Sequence, residues 1–293
     1  MSRKLNHAYT ASVDNLAVST AYKPRNSKSI GSKVAFQKKN PCHIKTQTDK
    51  IEETSSCFNT PRIDYPEISL DSKQEEDFKK FLKEFNSNKF HRLRSWETCY
   101  KFFSSPDFSI KDSEKLNQAG VQLGFYLASF GMFRANTRLM EIGDAGYRQL
   151  VQDIFSEIED PSGHTGKTIP INLLVKAVSK ALAKVPFKEA SHSEVLVSKI
   201  ILGMFCRSIA FDTNVKKGIR EFKKNQQSIR EISAIGCTLS SLPAWENLIT
   251  NPSIQKIFKQ LTPKFYSNNE TYPLMRTLDM YLWFIGKSVK RQV

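Results

Sequence analysis

The chain lacks the residue patterns of several large protein classes. Its five cysteines are widely spaced and include no Cys-x-x-Cys pair, and no histidine lies at zinc-ligand spacing from them. This argues against a disulfide scaffold or a structural zinc site and predicts a cytoplasmic protein in a reducing compartment. No stretch approaches the roughly 20 continuous apolar residues that span a bilayer. The N-terminus has no apolar signal core either, which argues against secretion.

Strand patterns and cofactor motifs are also missing. No run of useful length alternates apolar and polar residues, and no hairpin turn is flanked by such runs. The segment SGHTGKT, residues 162–168, approaches a phosphate-binding loop, but Pro161 stands where that motif requires its first glycine. The scattered histidines form no hydrolase triad. We therefore expect no cofactor and no metal ion.

Positive charge is what the chain has in excess. It contains 44 Lys and Arg against 29 Asp and Glu, a net charge of +15. Such a balance favours a polyanionic partner, either nucleic acid or an anionic membrane face, although it is also typical of a surface that only keeps a protein soluble.

The charge is concentrated near the N-terminus. Residues 1–50 hold ten basic residues and two acids in a background rich in Ser, Thr and Asn. Such a segment cannot bury enough apolar surface to offset the entropy of ordering it. We predict a disordered basic tail over residues 1–70 that contacts nucleic acid. The same composition describes an organellar transit peptide, so organellar import of the tail stays open as an alternative.

Helical periodicity begins at Asp71, where a polar cap is followed by acids in the first turn. Apolar stripes predict the further helices 93–103, 113–140, 147–158, 169–184, 191–206, 215–232, 242–248, 254–261 and 274–289. The sequence therefore predicts an all-α protein, with one multi-helix globular domain over residues 71–293 that the disordered tail precedes.

Two of these helices carry features beyond an apolar stripe. Gly120, Gly124, Ala128 and Gly131 recur about every four residues, which predicts that another helix approaches closely. In the last helix Asp279 lies among apolar residues, with Arg276 three positions before it. Core packing is the default interpretation of that pair, and a buried ion pair beside a pocket is the alternative.

The segment 199–220 (KIILGMFCRSIAFDTNVKKGIR) carries the main candidate for chemistry, because an apolar helix leads to one acid, Asp212, and a basic helix follows. Its part IAFDTNVKK, with the preceding helix, resembles the helix-hairpin-helix DNA glycosylases. In that family an acid in a short apolar–Asp–Thr/Gly–His/Asn–Val turn assists departure of the base. The resemblance implies that Asp212 is the catalytic acid and that Thr213, Asn214 and Val215 open the next helix.

The chain departs from that family elsewhere. No glycine-rich hairpin precedes the segment, Leu196 stands where some members have a catalytic lysine, and no cluster of four cysteines is present. The alternative interpretation of Asp212 is an N-cap of the basic helix. The phrases SWETCYKFF, FYLASFGMFR and YPLMRTLDMYLW also resemble a group of uncharacterised bacterial helical proteins, which implies one folded domain and no activity.

These observations lead to one functional prediction and two alternatives. We expect a basic helical protein that binds nucleic acid non-specifically through the phosphate backbone. The binding residues would be the outward cations of the basic helix, namely Lys216, Lys217, Arg220, Lys223 and Lys224. One alternative is a DNA-glycosylase-like enzyme with Asp212 as catalytic acid. The other is an accessory factor whose basic surface meets an acidic protein partner.

Overall fold

The computed structural model describes residues 68–133, 138–158, 169–185, 193–225 and 234–289. All of them belong to one compact unit. The predicted tail, residues 1–70, lies outside the described residues except for its last three, and of those Ile68 is buried in the core. The segment SGHTGKT and the end of the predicted helix 215–232 also lie outside them.

The all-α prediction is confirmed: the described residues form ten α-helices and no β-strand. A single antiparallel bridge joins Lys264 to Thr271. In chain order the helices are α1 (Ser72–Ser87), α2 (Ser95–Ser104), α3 (Ser113–Ser129), α4 (Asp144–Glu157), α5 (Ile171–Lys184), α6 (Glu194–Phe205), α7 (Thr213–Asn225), α8 (Leu242–Ile249), α9 (Pro252–Gln260) and α10 (Leu274–Ser288). None of these helices is both long and apolar enough to cross a membrane.

Short polar side chains begin several of these helices, because the first amides of a helix have no partner within it. The Asp71 carboxylate accepts a hydrogen bond from the Gln74 amide at 2.9 Å, as the sequence predicts. Asp112 caps α3 through the amides of Glu114 and Lys115. Comparable caps open α6 and α9.

The prediction of one continuous helix over 113–140 is wrong. Helix α3 ends at Ser129, and Gly131 adopts a φ of 71° just beyond it. The Met132 amide donates to the Leu127 carbonyl at 3.0 Å, and the Gly131 amide donates to the Ala128 carbonyl at 2.9 Å. This is the Schellman arrangement, which satisfies the last carbonyls and turns the chain away. The apolar pattern runs on past the turn because Met132 is also buried.

The core is rich in aromatic side chains, with Trp96, Phe155, Phe211 and Trp245 among those fully buried. Helix α10 lies at its centre and packs against α1, α7, α8 and α9. Because partners cover most of its surface, even its polar residues Arg276, Thr277 and Asp279 are buried.

Close helix approaches depend on glycine. A Cβ atom on Gly120 would lie 2.8 Å from the Arg148 amide nitrogen of α4, so the predicted close approach at α3 is present. A closer approach joins α7 to α10. There a Cβ on Gly218 would overlap the Leu282 carbonyl oxygen, and one on Gly286 would overlap that of Asn214. This second crossing brings the start of α7 against the helix that carries Asp279.

Candidate binding cleft

A cleft of about 480 Å³ lies where four helices and a short turn meet. Its lining includes cations, an acid and aromatic rings, namely Arg92, Phe130, Lys199, Asp212, Lys217 and Trp283. They come respectively from the turn before α2, the C-terminus of α3, α6, the N-terminus of α7, α7 itself and α10. The volume falls within the roughly 300–1,000 Å³ that is typical of ligand pockets.

Asp212 caps α7 and also lines the cleft. Its Oδ1 accepts hydrogen bonds from the Asn214 and Val215 amides, each at 3.0 Å, so the carboxylate caps α7. Its backbone carbonyl accepts the first helical hydrogen bond, from the Lys216 amide at 2.8 Å. The other oxygen, Oδ2, lies 3.8 Å from the Nζ of Lys199, and the side chain is 26% exposed. The cap therefore occupies one oxygen while the residue still lines the cleft.

Lys199 supplies a buried positive charge behind Asp212. It is only 3% exposed, and its ammonium group donates to the Phe130 carbonyl at 2.8 Å. That carbonyl lies at the C-terminal end of α3, where the helix dipole favours a cation. The lysine thus ties the Schellman turn of α3 to the N-terminus of α7 and holds these two walls of the cleft together.

A narrower cavity of about 40 Å³ adjoins the cleft and shares Arg92, Phe130, Asp212 and Trp283 with it. Arg276 and Asp279 also line it. The sequence analysis offered a buried ion pair beside a pocket as the alternative interpretation of these two residues. That interpretation is correct, because Nη1 of Arg276 donates to Oδ2 of Asp279.

Asp279 is held on both oxygens. Its Oδ1 accepts a hydrogen bond from the Ala210 amide at 2.8 Å, which fixes the loop before Asp212 to α10. Burial raises the pKa of Asp279 to about 6, against the opposing effects of the Arg276 charge and of that amide.

The five predicted binding cations of α7 lie in different surroundings. Lys217 lines the cleft, and Arg220 and Lys224 are exposed. Lys216 lies 3.5 Å from the Glu194 carboxylate, and Lys223 donates to the Ile235 carbonyl at 2.7 Å. The side chains of three of the five, Lys217, Arg220 and Lys224, thus make no ion pair or hydrogen bond with another described residue.

Sequence reasoning missed the other cleft residues. Arg92 and Phe130 reach the site only through tertiary packing, from distant parts of the chain. Lys199 offered a signal, since it is a single cation in an otherwise apolar helix that begins with a capping serine. Trp283 lies within the predicted helix 274–289, where no pattern distinguished it from core residues.

Comparisons with protein-family models, with curated proteins and with solved structures returned no significant match to this chain. Among the described residues, no three His, Cys, Asp or Glu side chains lie together in a group that could hold a metal ion. The cleft itself is therefore the basis for inferring a function.

Proposed function

We propose that the chain binds single-stranded nucleic acid in the cleft. The main observation in support is that one concave site brings Arg92, Lys199 and Lys217 together with the rings of Phe130 and Trp283. Proteins that bind single strands combine cations that follow the phosphates with aromatic rings on which bases stack.

The shape of the site favours an unpaired strand over a duplex. The aromatic rings line a recess, and bases in a duplex are already stacked and paired, so only an unpaired base can reach these rings. The side chains of Arg92 and Lys217 make no ion pair or hydrogen bond with another described residue, which leaves their charges available for phosphates. The phosphates of the strand therefore contact the cations, while one base occupies the recess.

A salt titration of the full chain with a fluorescent oligonucleotide tests this proposal. Anisotropy gives the dissociation constant between about 50 and 200 mM salt, and each phosphate contact on a single strand contributes about 0.7 to the slope of log K against log salt. The double variant Arg92→Ala/Lys217→Ala should therefore lower that slope by about 1.4. Trp283→Leu should weaken binding roughly 5- to 150-fold, from the loss of about 1–3 kcal/mol of stacking.

The matched control removes two exposed lysines of α9 that do not line the cleft, as Lys256→Ala/Lys259→Ala. It changes the net charge by the same amount as the cleft double variant. Affinity that does not depend on salt, or equal losses in both double variants, would contradict binding in the cleft.

A DNA-glycosylase-like activity is the second candidate, and the geometry of Asp212 favours it. Two amides fix one oxygen of the carboxylate, so the group is held in place at the cleft. A carboxylate positioned in this way can stabilise the positive charge that develops on a deoxyribose as the bond to its base breaks.

Asp212→Asn separates catalysis from capping. Asparagine caps helices about as well as aspartate, so the stability of the variant should stay close to that of the wild type. Release of free base from oligonucleotides that carry alkylated or deaminated bases should be lost in the variant, while binding is retained. Undetectable release by the wild type across that panel counts against the enzyme and leaves the binding proposal standing.

A further inference from the structure

The guanidinium of Arg276 has an unused edge beside the inner cavity. The side chain is 1% exposed, and only Nη1 is paired, with Asp279. Its Nε and Nη2 are buried and have no hydrogen-bond partner. Buried donors are nearly always paired, so two on one charged group require an explanation.

These two donors lie on the same edge of the planar group. In a guanidinium the N–H bonds of Nε and Nη2 run parallel, which is the geometry that engages two adjacent acceptor atoms at once. Aromatic rings border the group, because the Cζ atom lies 5.2 Å from the ring centroids of both Trp96 and Phe130. Asp279 holds the opposite side.

The inner cavity is too small for a whole base but not for its edge. Its volume of about 40 Å³ compares with about 10–15 Å³ for one water molecule, so it has room for a few atoms. The rest of a ring would remain in the larger cleft beside Phe130 and Trp283, which line both spaces.

The charges around the cavity select a neutral acceptor group over an anion. Arg92 and Arg276 are balanced there by Asp212 and Asp279, so the lining carries no net charge when both acids are ionised. A phosphate or carboxylate would meet those two acids. The polar edge of a base meets no such repulsion.

We propose that Arg276 reads the edge of an unpaired base that carries two adjacent acceptors, namely guanine through O6 and N7 or cytosine through O2 and N3. This rests on the proposed binding of single strands. Arginine paired with O6 and N7 of guanine is the commonest specific contact of this kind in protein–DNA complexes. Adenine places a donor beside N7, and thymine and uracil place the N3–H between their oxygens, so each would leave one N–H of Arg276 unpaired.

The test compares four fluorescent thymidine octamers that differ only in one central base, with the full chain and a fixed salt concentration. We expect the octamer with central guanine or cytosine to bind about tenfold more tightly than those with adenine or thymine, as for one bidentate contact. Replacing the preferred base by an analogue without one acceptor, 7-deazaguanine or 3-deazacytosine, should abolish the preference. This arm leaves the protein unchanged, so it does not depend on a variant that folds.

Arg276→Lys adds the complementary change on the protein. Lysine keeps the charge opposite Asp279 but has no paired donor edge, so the preference should fall to within about twofold while binding of the all-thymidine octamer is retained. Equal affinity for all four octamers, or tightest binding of adenine or thymine, overturns the role of Arg276 alone. Absence of binding to every octamer overturns the proposed function with it.

Discussion

The crossing of α7 and α10 makes the sharpest prediction for stability. A Cβ atom on Gly218 would overlap the carbonyl oxygen of Leu282 and lie 2.6 Å from its carbonyl carbon. The obstacle is backbone and not the end of a flexible side chain, so the two helices must separate to admit it. We therefore expect Gly218→Ala to destabilise the protein.

Two opposing effects set the magnitude. Alanine is favoured over glycine inside a helix by about 1 kcal/mol. Overpacking a tight contact costs about 1–3 kcal/mol, and the rigid backbone at Leu282 points to the upper end of that range. The net loss in the free energy of unfolding is then about 2 kcal/mol. For a domain of this size it corresponds to a decrease in Tm of roughly 4–8 °C.

Urea denaturation followed by circular dichroism measures this loss, and Gly124→Ala is the matched control. Gly124 also lies inside a helix, but a Cβ there would meet the Tyr147 ring at 3.4 Å, which is ordinary contact. That variant should gain up to about 1 kcal/mol from helix propensity alone. If Gly218→Ala gains stability as Gly124→Ala does, the close crossing of α7 and α10 is refuted.

Three further predictions concern single side chains. The pKa of Asp279 is raised to about 6 in the folded state, so that state binds more protons than the unfolded chain between about pH 4 and 6. Relative to Asp279→Asn, the free energy of unfolding of the wild type should fall by about 2–3 kcal/mol as pH rises through that window. Urea denaturation at several pH values measures this difference, and equal pH profiles of the two proteins would contradict it. Burial raises the pKa of Cys206 to about 12, so iodoacetamide should label this thiol only after unfolding. Mass spectrometry locates the label, and rapid labelling of Cys206 in the native protein would contradict the prediction. Asp212→Ala should cost about 1 kcal/mol of unfolding free energy through loss of the cap, with Asp212→Asn near zero; equal losses in the two would show that the cap is not what Asp212 contributes.

The helices were predictable because their information is local. The apolar stripe of α10 and the acidic start of α1 follow from residues three or four positions apart, which share one face of a helix whatever the rest of the chain does. The end of α3 was missed because the apolar pattern continues through Gly131 to Met132. Only the positive φ of that glycine shows that the chain turns there.

The candidate site was predictable only in part. Asp212 was recognisable from its position between an apolar and a basic helix, and its cap geometry confirms the N-cap interpretation. The cations of α7 could be counted, but their partners could not, because Glu194 and Ile235 meet Lys216 and Lys223 through contacts between separate segments. Arg92 had no sequence signal at all.

The sequence by itself determined that this protein is helical, basic and built around aromatic side chains, since periodicity and composition act over a few neighbouring residues. Only the tertiary structure decided that Lys199 faces Asp212, that Arg276 is buried with an unused edge, and that Phe130 and Trp283 line one cleft. The physical reason is that these arrangements depend on how closely helices pack. Glycines at the crossing of α7 and α10 set that distance, because they let the two backbones meet.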